Sequence, residues 1–265
     1  MSGQDRRAAV PGMLDGAWRR EVMVHPDGRT DRETWVLWLQ HGADFADLRQ
    51  PAGRPPMAAC LNALSIAQMA WLARQNGFAG TLAFDGVFFE WRHEVGFQPP
   101  GPAADSATLR FGGETLIEEG RHAPYREDWA ACPATTSDGG CLRLRSVEDG
   151  RRALVVRHGP WFMVARARAD ALPAAADLAS LLESAGTEAA MRSLVDCEIS
   201  FGGVGGDGWR IERSTLPYRE NALLAPRLVS SRFCEHADLS ADGAATTGRW
   251  EIAGCDGAEE LFAAS

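Results

Sequence analysis

The dipeptide Asp-Gly recurs along this chain and constrains its fold more than any other feature. Its eight occurrences are Asp15-Gly16, Asp27-Gly28, Asp85-Gly86, Asp138-Gly139, Asp149-Gly150, Asp207-Gly208, Asp242-Gly243 and Asp256-Gly257. Asp-Gly readily supplies the positive φ angles that tight hairpin turns require. Several of these dipeptides stand beside runs of β-branched and aromatic residues, which is the pattern of meandering antiparallel strands. We therefore predict a mainly β fold.

The runs between these turns are the expected strands. They cover residues 18–24, 33–40, 43–49, 78–84, 87–94, 108–111, 114–119, 141–147, 152–158, 161–168 and 195–201. Side chains alternate between the two faces of a strand, so most of these runs have one apolar, inward face. The run 33–40 is apolar on both faces, and we expect one side of it to pack under a helix.

Two stretches have helical spacing of their apolar residues. The first lies between residues 61 and 72, with Ser65 as the expected N-cap and Gly77 as the glycine just past its end. The second covers about residues 174–194 and is broken at Ala185-Gly186, with Thr187 capping its second half. Each helix interrupts a strand-rich half. We therefore predict two domains, residues 1–133 and 134–265, each an antiparallel β-barrel with an inserted or flanking helix.

Composition narrows the compartment and the partners. The chain has 265 residues, 45% of them apolar, which is enough to bury a sizeable core, and no run of 18 apolar residues that would span a membrane. Residues 1–10 are polar and have no secretion-signal pattern, so we expect a cytoplasmic protein. The net charge of -9 argues against nucleic acid or an anionic membrane as a partner. All 27 cationic side chains are arginine, whose planar fork suits carboxylates and phosphates.

The six cysteines are Cys60, Cys132, Cys141, Cys197, Cys234 and Cys255. They form no C-x-x-C pair and have no zinc-finger spacing, so we interpret all six as small buried residues of a reducing compartment. A disulfide between Cys132 and Cys141, which flank a turn-rich segment, is the less favoured alternative. No metal or cofactor is expected, because no H-x-H or H-E-x-x-H spacing occurs.

Two sets of motifs resemble known families. Gly16-Ala17-Trp18 resembles the first motif of lipocalin-type barrels, in which the Trp plugs the closed end of the barrel. A longer series comprises the segment 35–49, Gly77-Phe78-Ala79-Gly80-Thr81, Trp161-Phe162-Met163 and the segment 197–202. In order and spacing it resembles a small fungal family of double β-barrel proteins that interact with a casein-kinase-type kinase. The resemblance implies two lipocalin-like barrels packed together and no catalytic residues.

His93 is the first candidate site residue, because it shares one strand face with Trp91 and Phe89. It is predicted to contact a ligand or to act as a general base, with a hydrogen-bonded histidine at the barrel rim as the alternative. Arg49 ends its strand and is a candidate clamp for a ligand carboxylate. An arginine that closes the barrel end by packing on a Trp, such as Trp18, is the alternative that we favour for Arg49.

The densest polar cluster covers residues 118–129. Within it, Glu118, His122 and Tyr125 are candidates for ligand contacts or acid–base chemistry. A solvated turn with cross-strand ion pairs explains the same residues.

Three functions fit these features. The first is a binding protein that holds a small amphipathic or hydrophobic ligand in a barrel pocket. The second is a cofactor-independent isomerase, cyclase or hydrolase that uses a His/carboxylate pair. The third is a protein-interaction module, with a protein partner or a second copy of the chain as its target.

Overall fold

The chain folds into two antiparallel β-sheets, one from each half, and the prediction of a mainly β, two-barrel architecture is confirmed. The computed structural model describes residues 12–134, 136–224, 226–257 and 259–262. The change from one sheet to the other falls between residues 131 and 139. The division into domains at residue 133 stays a prediction, because the two sheets share a core, described below.

The first sheet closes into a barrel. Its strands are β1 (Gly16–Val24), β2 (Thr30–Asp31), β3 (Trp35–His41), β4 (Asp44–Gln50), β5 (Asn76–Phe84), β6 (Phe89–Gly96), β7 (Asp105–Gly112), β8 (Thr115–Gly120) and β9 (Arg126–Ala131). Strands β1 and β3–β9 follow one another in a meander, and β9 returns to pair with β1. The result is an eight-stranded barrel with no free edge, to which the short β2 adds at one end of β1.

The second sheet is an incomplete barrel. Its strands are β10 (Gly139–Ser146), β11 (Arg152–His158), β12 (Trp161–Arg166), β13 (Glu198–Gly205), β14 (Gly208–Ser214), β15 (Arg227–Ser230), β16 (Phe233–Leu239) and β17 (Ala245–Asp256). Leu224 lies between β14 and β16, where its N–H donates to the carbonyl of Trp209 and its carbonyl accepts from the N–H of Ala237, both at 2.8 Å. Leu224 thus links two strands that do not pair directly.

Turn chemistry explains this meander. Seven of the eight Asp-Gly glycines have a positive φ, and five of them lie in hairpin connections, such as Gly86 (φ 105°) between β5 and β6. The exception is Gly139, which begins β10. The glycine-rich segment 201–208 ends β13 and turns into β14.

The helices follow the predicted caps but not all of the predicted ends. Helix α1 (Ile66–Leu72) begins with a capping box between Ser65 and Gln68, as expected at Ser65. It ends at Leu72, so the expected terminal glycine, Gly77, is wrong. Gly77 lies in β5, because the chain turns directly from the helix into that strand.

The second helical stretch is broken as predicted. Helices α2 (Leu178–Ser184) and α3 (Glu188–Val195) are separate, and the hydroxyl of Thr187 accepts a hydrogen bond from the N–H of Ala190 at 3.1 Å. The predicted strand 195–201 begins too early, since Val195 is the last residue of α3. With eight residues, α3 is the longest helix in the described ranges, and none of them has the length and apolar character to cross a bilayer.

The two sheets bury a common core between them. Leu37 and Leu39 of β3 lie in one apolar cluster with Leu154 and Val156 of β11, and the helices cover part of the same cluster. A side chain at Gly77 would meet the backbone oxygen of Asp47 at 2.8 Å and the Cδ1 atom of Ile199 at 3.0 Å. Asp47 belongs to β4, the neighbouring strand of the same sheet, so the backbone of that strand requires a glycine here, and Ile199 of the second sheet adds to the crowding. This packing explains why the run 33–40 is apolar on both faces.

Aromatic side chains fill the lumen of the first barrel. The indole ring of Trp38 lies 5.8 Å from Trp91, 5.9 Å from Trp129 and 6.4 Å from Trp18, measured between ring centroids. All four are buried, and Phe45 packs into the same cluster. Little space for a ligand remains inside this lumen.

Arg168, just after β12, ties the two halves together through backbone carbonyls. Its guanidinium donates to the carbonyl of Gly96 at 2.9 Å and to that of Phe97 at 2.6 Å, both in the first half, and also to the carbonyl of Leu194. Its charge also lies 5.1 Å from the centre of the Phe97 ring. Because Arg168 is buried, these contacts satisfy the guanidinium in place of water.

We predict that Arg168→Met lowers the free energy of unfolding by about 2–4 kcal/mol, because it leaves buried carbonyls without a donor. Chemical denaturation followed by Trp fluorescence measures the change. Arg232→Met is the matched control, since this side chain is 71% exposed and its partner Glu251 is on the surface. The control should lose less than about 1 kcal/mol. Equal losses in both variants would show that Arg168 does not hold the halves together.

Candidate functional site

A cleft of about 980 Å³ lies between the two halves, at one end of the first barrel. The first half contributes parts of β5 and β6, the segment 98–106 and residues around Tyr125. The second half contributes the β10–β11 hairpin around Arg145 and Arg152 and the segment 167–172. The packing of the two halves brings to this cleft residues that lie far apart in the sequence.

His93 and Trp91 form part of an aromatic wall of the cleft. The imidazole of His93 stacks on Phe78 with a centroid distance of 4.1 Å and an interplanar angle of 12°. Its Nε2 atom lies 3.1 Å from a carboxylate oxygen of Asp105. The His93 side chain is 35% exposed, whereas Trp91 is buried and meets Trp38 edge to face. His93 therefore stands at the rim, and Trp91 connects the cleft to the filled lumen.

Tyr125 and Glu118 form a hydrogen-bonded pair behind this wall. The hydroxyl of Tyr125, which lines the cleft, donates to a carboxyl oxygen of the buried Glu118 at 2.7 Å. Burial, and next the charge of Glu127, raises the pKa of Glu118 from 4.5 to about 8. Burial and the neighbouring Glu118 also raise the pKa of Tyr125. Glu118 is therefore mainly protonated at neutral pH and is able to donate a proton.

The neighbouring Glu127 shows why Glu118 is different. One carboxyl oxygen of Glu127 accepts from Arg20 at 2.6 Å and from Arg49 at 3.1 Å. Both arginines are thus drawn to Glu127 and to nearby aspartates, and the direct partner of Glu118 is an uncharged phenol.

The second half contains a similar buried network with the opposite outcome. Glu198 contacts Arg219 at 3.2 Å and Arg166 at 3.8 Å. Burial favours the neutral form of Glu198, but the charges of these two arginines outweigh it and lower the pKa of the carboxyl. A carboxyl held neutral beside a pocket is thus a feature of the first barrel, and such groups are candidates for acid–base chemistry.

Arg49 packs differently from the sequence-based expectation. Its guanidinium binds Asp47 at 2.8 Å and lies 5.3 Å from the ring centre of Phe78, not on Trp18. The indole N–H of Trp18 instead donates to the carbonyl of Leu14. The Trp18 ring packs on Trp38 and Phe111, with centroids 6.4 Å and 6.0 Å away, so Trp18 and Arg49 have different aromatic partners.

A small cavity of about 10 Å³, room for one water molecule, separates Arg49 and Glu118 from the cleft. Trp91, Phe78 and Asp105 line both this cavity and the cleft. The six predicted site residues therefore divide into two groups. His93, Trp91, His122 and Tyr125 line the cleft, and Arg49, Glu118 and again Trp91 line the cavity behind it. Their roles in binding or catalysis stay predictions.

The polar cluster 118–129 is split by strand alternation. Glu118 faces inward, whereas Glu119 is exposed and pairs with Arg110 across the strands at 3.5 Å. Arg126 and Asp128 also form an exposed pair, as the solvated-turn interpretation expected. The interpretation as a solvated turn with ion pairs thus describes the exposed residues of the cluster, and the interpretation as a candidate site stays a prediction for the inward-facing Glu118.

Sequence reasoning missed Arg145, Arg152 and Asp105 as cleft residues. Alternation places Arg152 on the same strand face as Leu154 and Val156, which was a usable signal. The first barrel leaves this end of the strand face uncovered, and that depends on how the two sheets pack.

All six cysteines are free, including Cys132 and Cys141. The expectation that all six are buried is confirmed for Cys141, Cys197 and Cys234. It is wrong for Cys60 and Cys132, which are half-buried, and for Cys255, which is exposed near the end of β17. In the ranges that the structure describes, no group of three or more His, Cys, Asp or Glu side chains is arranged to hold a metal ion.

Comparison with known proteins supports the fold. No family model and no curated protein matches the chain. A similar solved structure is the crystal structure of the uncharacterized protein YLR301w from Saccharomyces cerevisiae, with 12% identity and a TM-score of 0.50. The match covers 91% of this chain and 98% of that chain. At this level of identity the likeness concerns the fold alone.

We predict that Glu118 makes stability depend on pH above 4.5. Between pH 4.5 and about 8 the folded protein retains a proton on Glu118 that the unfolded chain releases. This contribution is therefore complete at low pH, and the free energy of unfolding falls as the pH rises, by at most about 1.4 kcal/mol per pH unit. Glu118→Gln should remove this slope. Urea denaturation should therefore show that the free energy of unfolding of the variant rises relative to that of the wild type between pH 5 and 8.

The exposed neighbour provides the control. Glu119→Gln makes the same Glu-to-Gln change at the next residue of β8. The stability of this variant should depend on pH in the same way as that of the wild type. Parallel profiles for the wild type and Glu118→Gln would contradict a neutral Glu118.

Proposed function

We propose that this protein is a lipocalin-like cytoplasmic protein that binds a small amphipathic molecule in the cleft between its two halves. The cleft itself is the observation on which the proposal depends. Its volume of about 980 Å³ is at the upper end of the range typical of small-molecule sites. Its wall combines aromatic surface, from Phe78, Trp91 and His93, with polar groups at the rim.

The packed lumen favours a site at the mouth of the first barrel over one inside it. Four indole rings occupy the interior, and the cavity next to Trp38 and Trp129 has room for only about one water molecule. A ligand in the cleft would instead lay its apolar part on the edges of Trp91 and Phe78 that line the cleft. The hydrogen-bonding groups of His93 and Tyr125 would orient its polar part.

A cofactor-independent enzyme is the second candidate, and the neutral Glu118 is the observation that favours it. Tyr125 reaches the cleft and is hydrogen-bonded to Glu118, so Tyr125 would give its hydroxyl proton to a bound molecule and take up the proton of the neutral Glu118 carboxyl in its place. His93, held by Asp105 at 3.1 Å, would be the base. An isomerase, cyclase or hydrolase fits this arrangement. The pH profile of Glu118→Gln tests the premise on which this candidate depends.

We also propose a relationship with the fungal double-barrel family whose members interact with a casein-kinase-type kinase. The likeness to a yeast structure over 91% of this chain supports it. Under this proposal the protein binds a protein partner or a second copy of its own chain. Exposed large apolar side chains that would be available for such contacts are Met13, Ile66, Val87, Phe111, Val147, Leu223 and Val229.

We predict that His93→Ala weakens ligand binding and leaves the fold intact. The uncharged fluorescent probe N-phenyl-1-naphthylamine should bind the wild type, and the loss of one ring contact should weaken it about two- to tenfold. The free energy of unfolding should fall by about 1 kcal/mol or less, because His93 is at the rim. His25→Ala is the control, since His25 does not line the cleft.

Titration of probe fluorescence and urea denaturation measure the two quantities. A wild type that does not bind the probe would contradict the proposed function. A severe loss of stability in His93→Ala with unchanged affinity per folded molecule would remove His93 from the site.

A further inference from the structure

Two arginines lie side by side on the wall that the second half contributes to the cleft. Arg145 of β10 and Arg152 of β11 are direct cross-strand partners, and both are exposed. Both line the cleft. Like charges at directly opposite positions repel each other, so this pair has an unfavourable contact without a compensating anion.

The other two arginines of the cleft already have partners. Arg151 binds Asp149 at 2.6 Å and Asp196 at 2.7 Å. Arg168 is saturated by the backbone carbonyls described above. By contrast, neither Arg145 nor Arg152 lies within 4.0 Å of a carboxylate oxygen of the described residues, and Arg145 has only a long contact of 3.5 Å to the carbonyl of Gly150.

The acidic residues of the cleft do not neutralise the pair. Glu94 contacts Arg143 at 3.4 Å, and Asp105 contacts His93 at 3.1 Å. Asp170 is exposed and forms no ion pair with a described arginine. Glu251 is the other cross-strand neighbour of Arg145, and it binds Arg232 at 2.9 Å. Arg145 and Arg152 are therefore left without an ion-pair partner among the described residues, although the whole chain has a net charge of -9.

We propose that the cleft selects amphipathic anions, and that Arg145 and Arg152 hold the anionic head group while Phe78 and Trp91 contact the apolar body. The inference depends on the proposed binding function and adds the chemical class of the ligand. A guanidinium fork matches the oxygens of a carboxylate, sulfonate or phosphate, and two forks side by side bind one such group from both strands. The anion also relieves the repulsion between the two arginines.

Two fluorescent probes with a common aromatic skeleton test the proposal. 8-Anilinonaphthalene-1-sulfonate has a sulfonate that N-phenyl-1-naphthylamine lacks. The wild type should bind the sulfonate about tenfold more tightly than the uncharged probe, with one site per chain. Replacing both arginines, in Arg145→Gln/Arg152→Gln, should remove about this tenfold preference and change the affinity for the uncharged probe less than about twofold.

The control variant is Arg110→Gln/Arg227→Gln, which makes the same change in net charge at two exposed arginines outside the cleft. It should retain the preference for the sulfonate. The single variants Arg145→Gln and Arg152→Gln should each lose part of the preference. They provide the test if the double variant does not fold, and thermal melting of every variant identifies that case.

The outcomes separate this inference from the proposed function. An undiminished preference for the sulfonate in the Arg145/Arg152 variants would overturn the assignment of the head-group site. Binding of the uncharged probe to the wild type with no gain from the sulfonate would overturn this inference and leave the proposed function standing. Binding of neither probe would overturn both.

Discussion

The packing of one sheet against the other is the constraint on which the rest of this structure depends. Strands β3 and β11 bring Leu39 and Leu154 into one buried cluster, and the side chain of Ile199 on β13 packs close to Gly77 of β5. Burial of apolar surface from both halves stabilises each of them. The same contact leaves a cleft where the sheets diverge, so the candidate site is a direct consequence of the packing.

Buried ion pairs are the second feature that the two halves share, and they have different consequences. In the second half, Arg166 and Arg219 both approach Glu198 and keep it ionised. In the first half, Arg20 and Arg49 gather around Glu127, and Glu118 is left with Tyr125. An uncompensated carboxyl in a buried place favours its neutral form. That imbalance makes the end of the first barrel chemically distinct.

Local sequence signals predicted the elements well where a residue acts on its own neighbours. Ser65 and Thr187 cap their helices as expected, because an N-cap bond involves only the next three residues. Signals that depend on distant contacts failed. Gly77 was expected to end a helix, but it lies in β5, where a side chain would meet the backbone oxygen of Asp47 and the side chain of Ile199. Arg49 was expected on a Trp and instead packs on Phe78, from a strand 29 positions further along the chain.

By itself, the sequence determined the antiparallel meander, the caps and the alternation that placed Trp91 and His93 on one face of their strand, because all of these depend on spacing along the chain. Only the tertiary structure decided that His93 and Tyr125 open into a cleft whereas Glu118 is buried. It also decided that Arg145 and Arg152 stand across from them. The depth of a side chain and its charged neighbours are set by which sheet faces are in contact, and strand spacing contains no information about that contact.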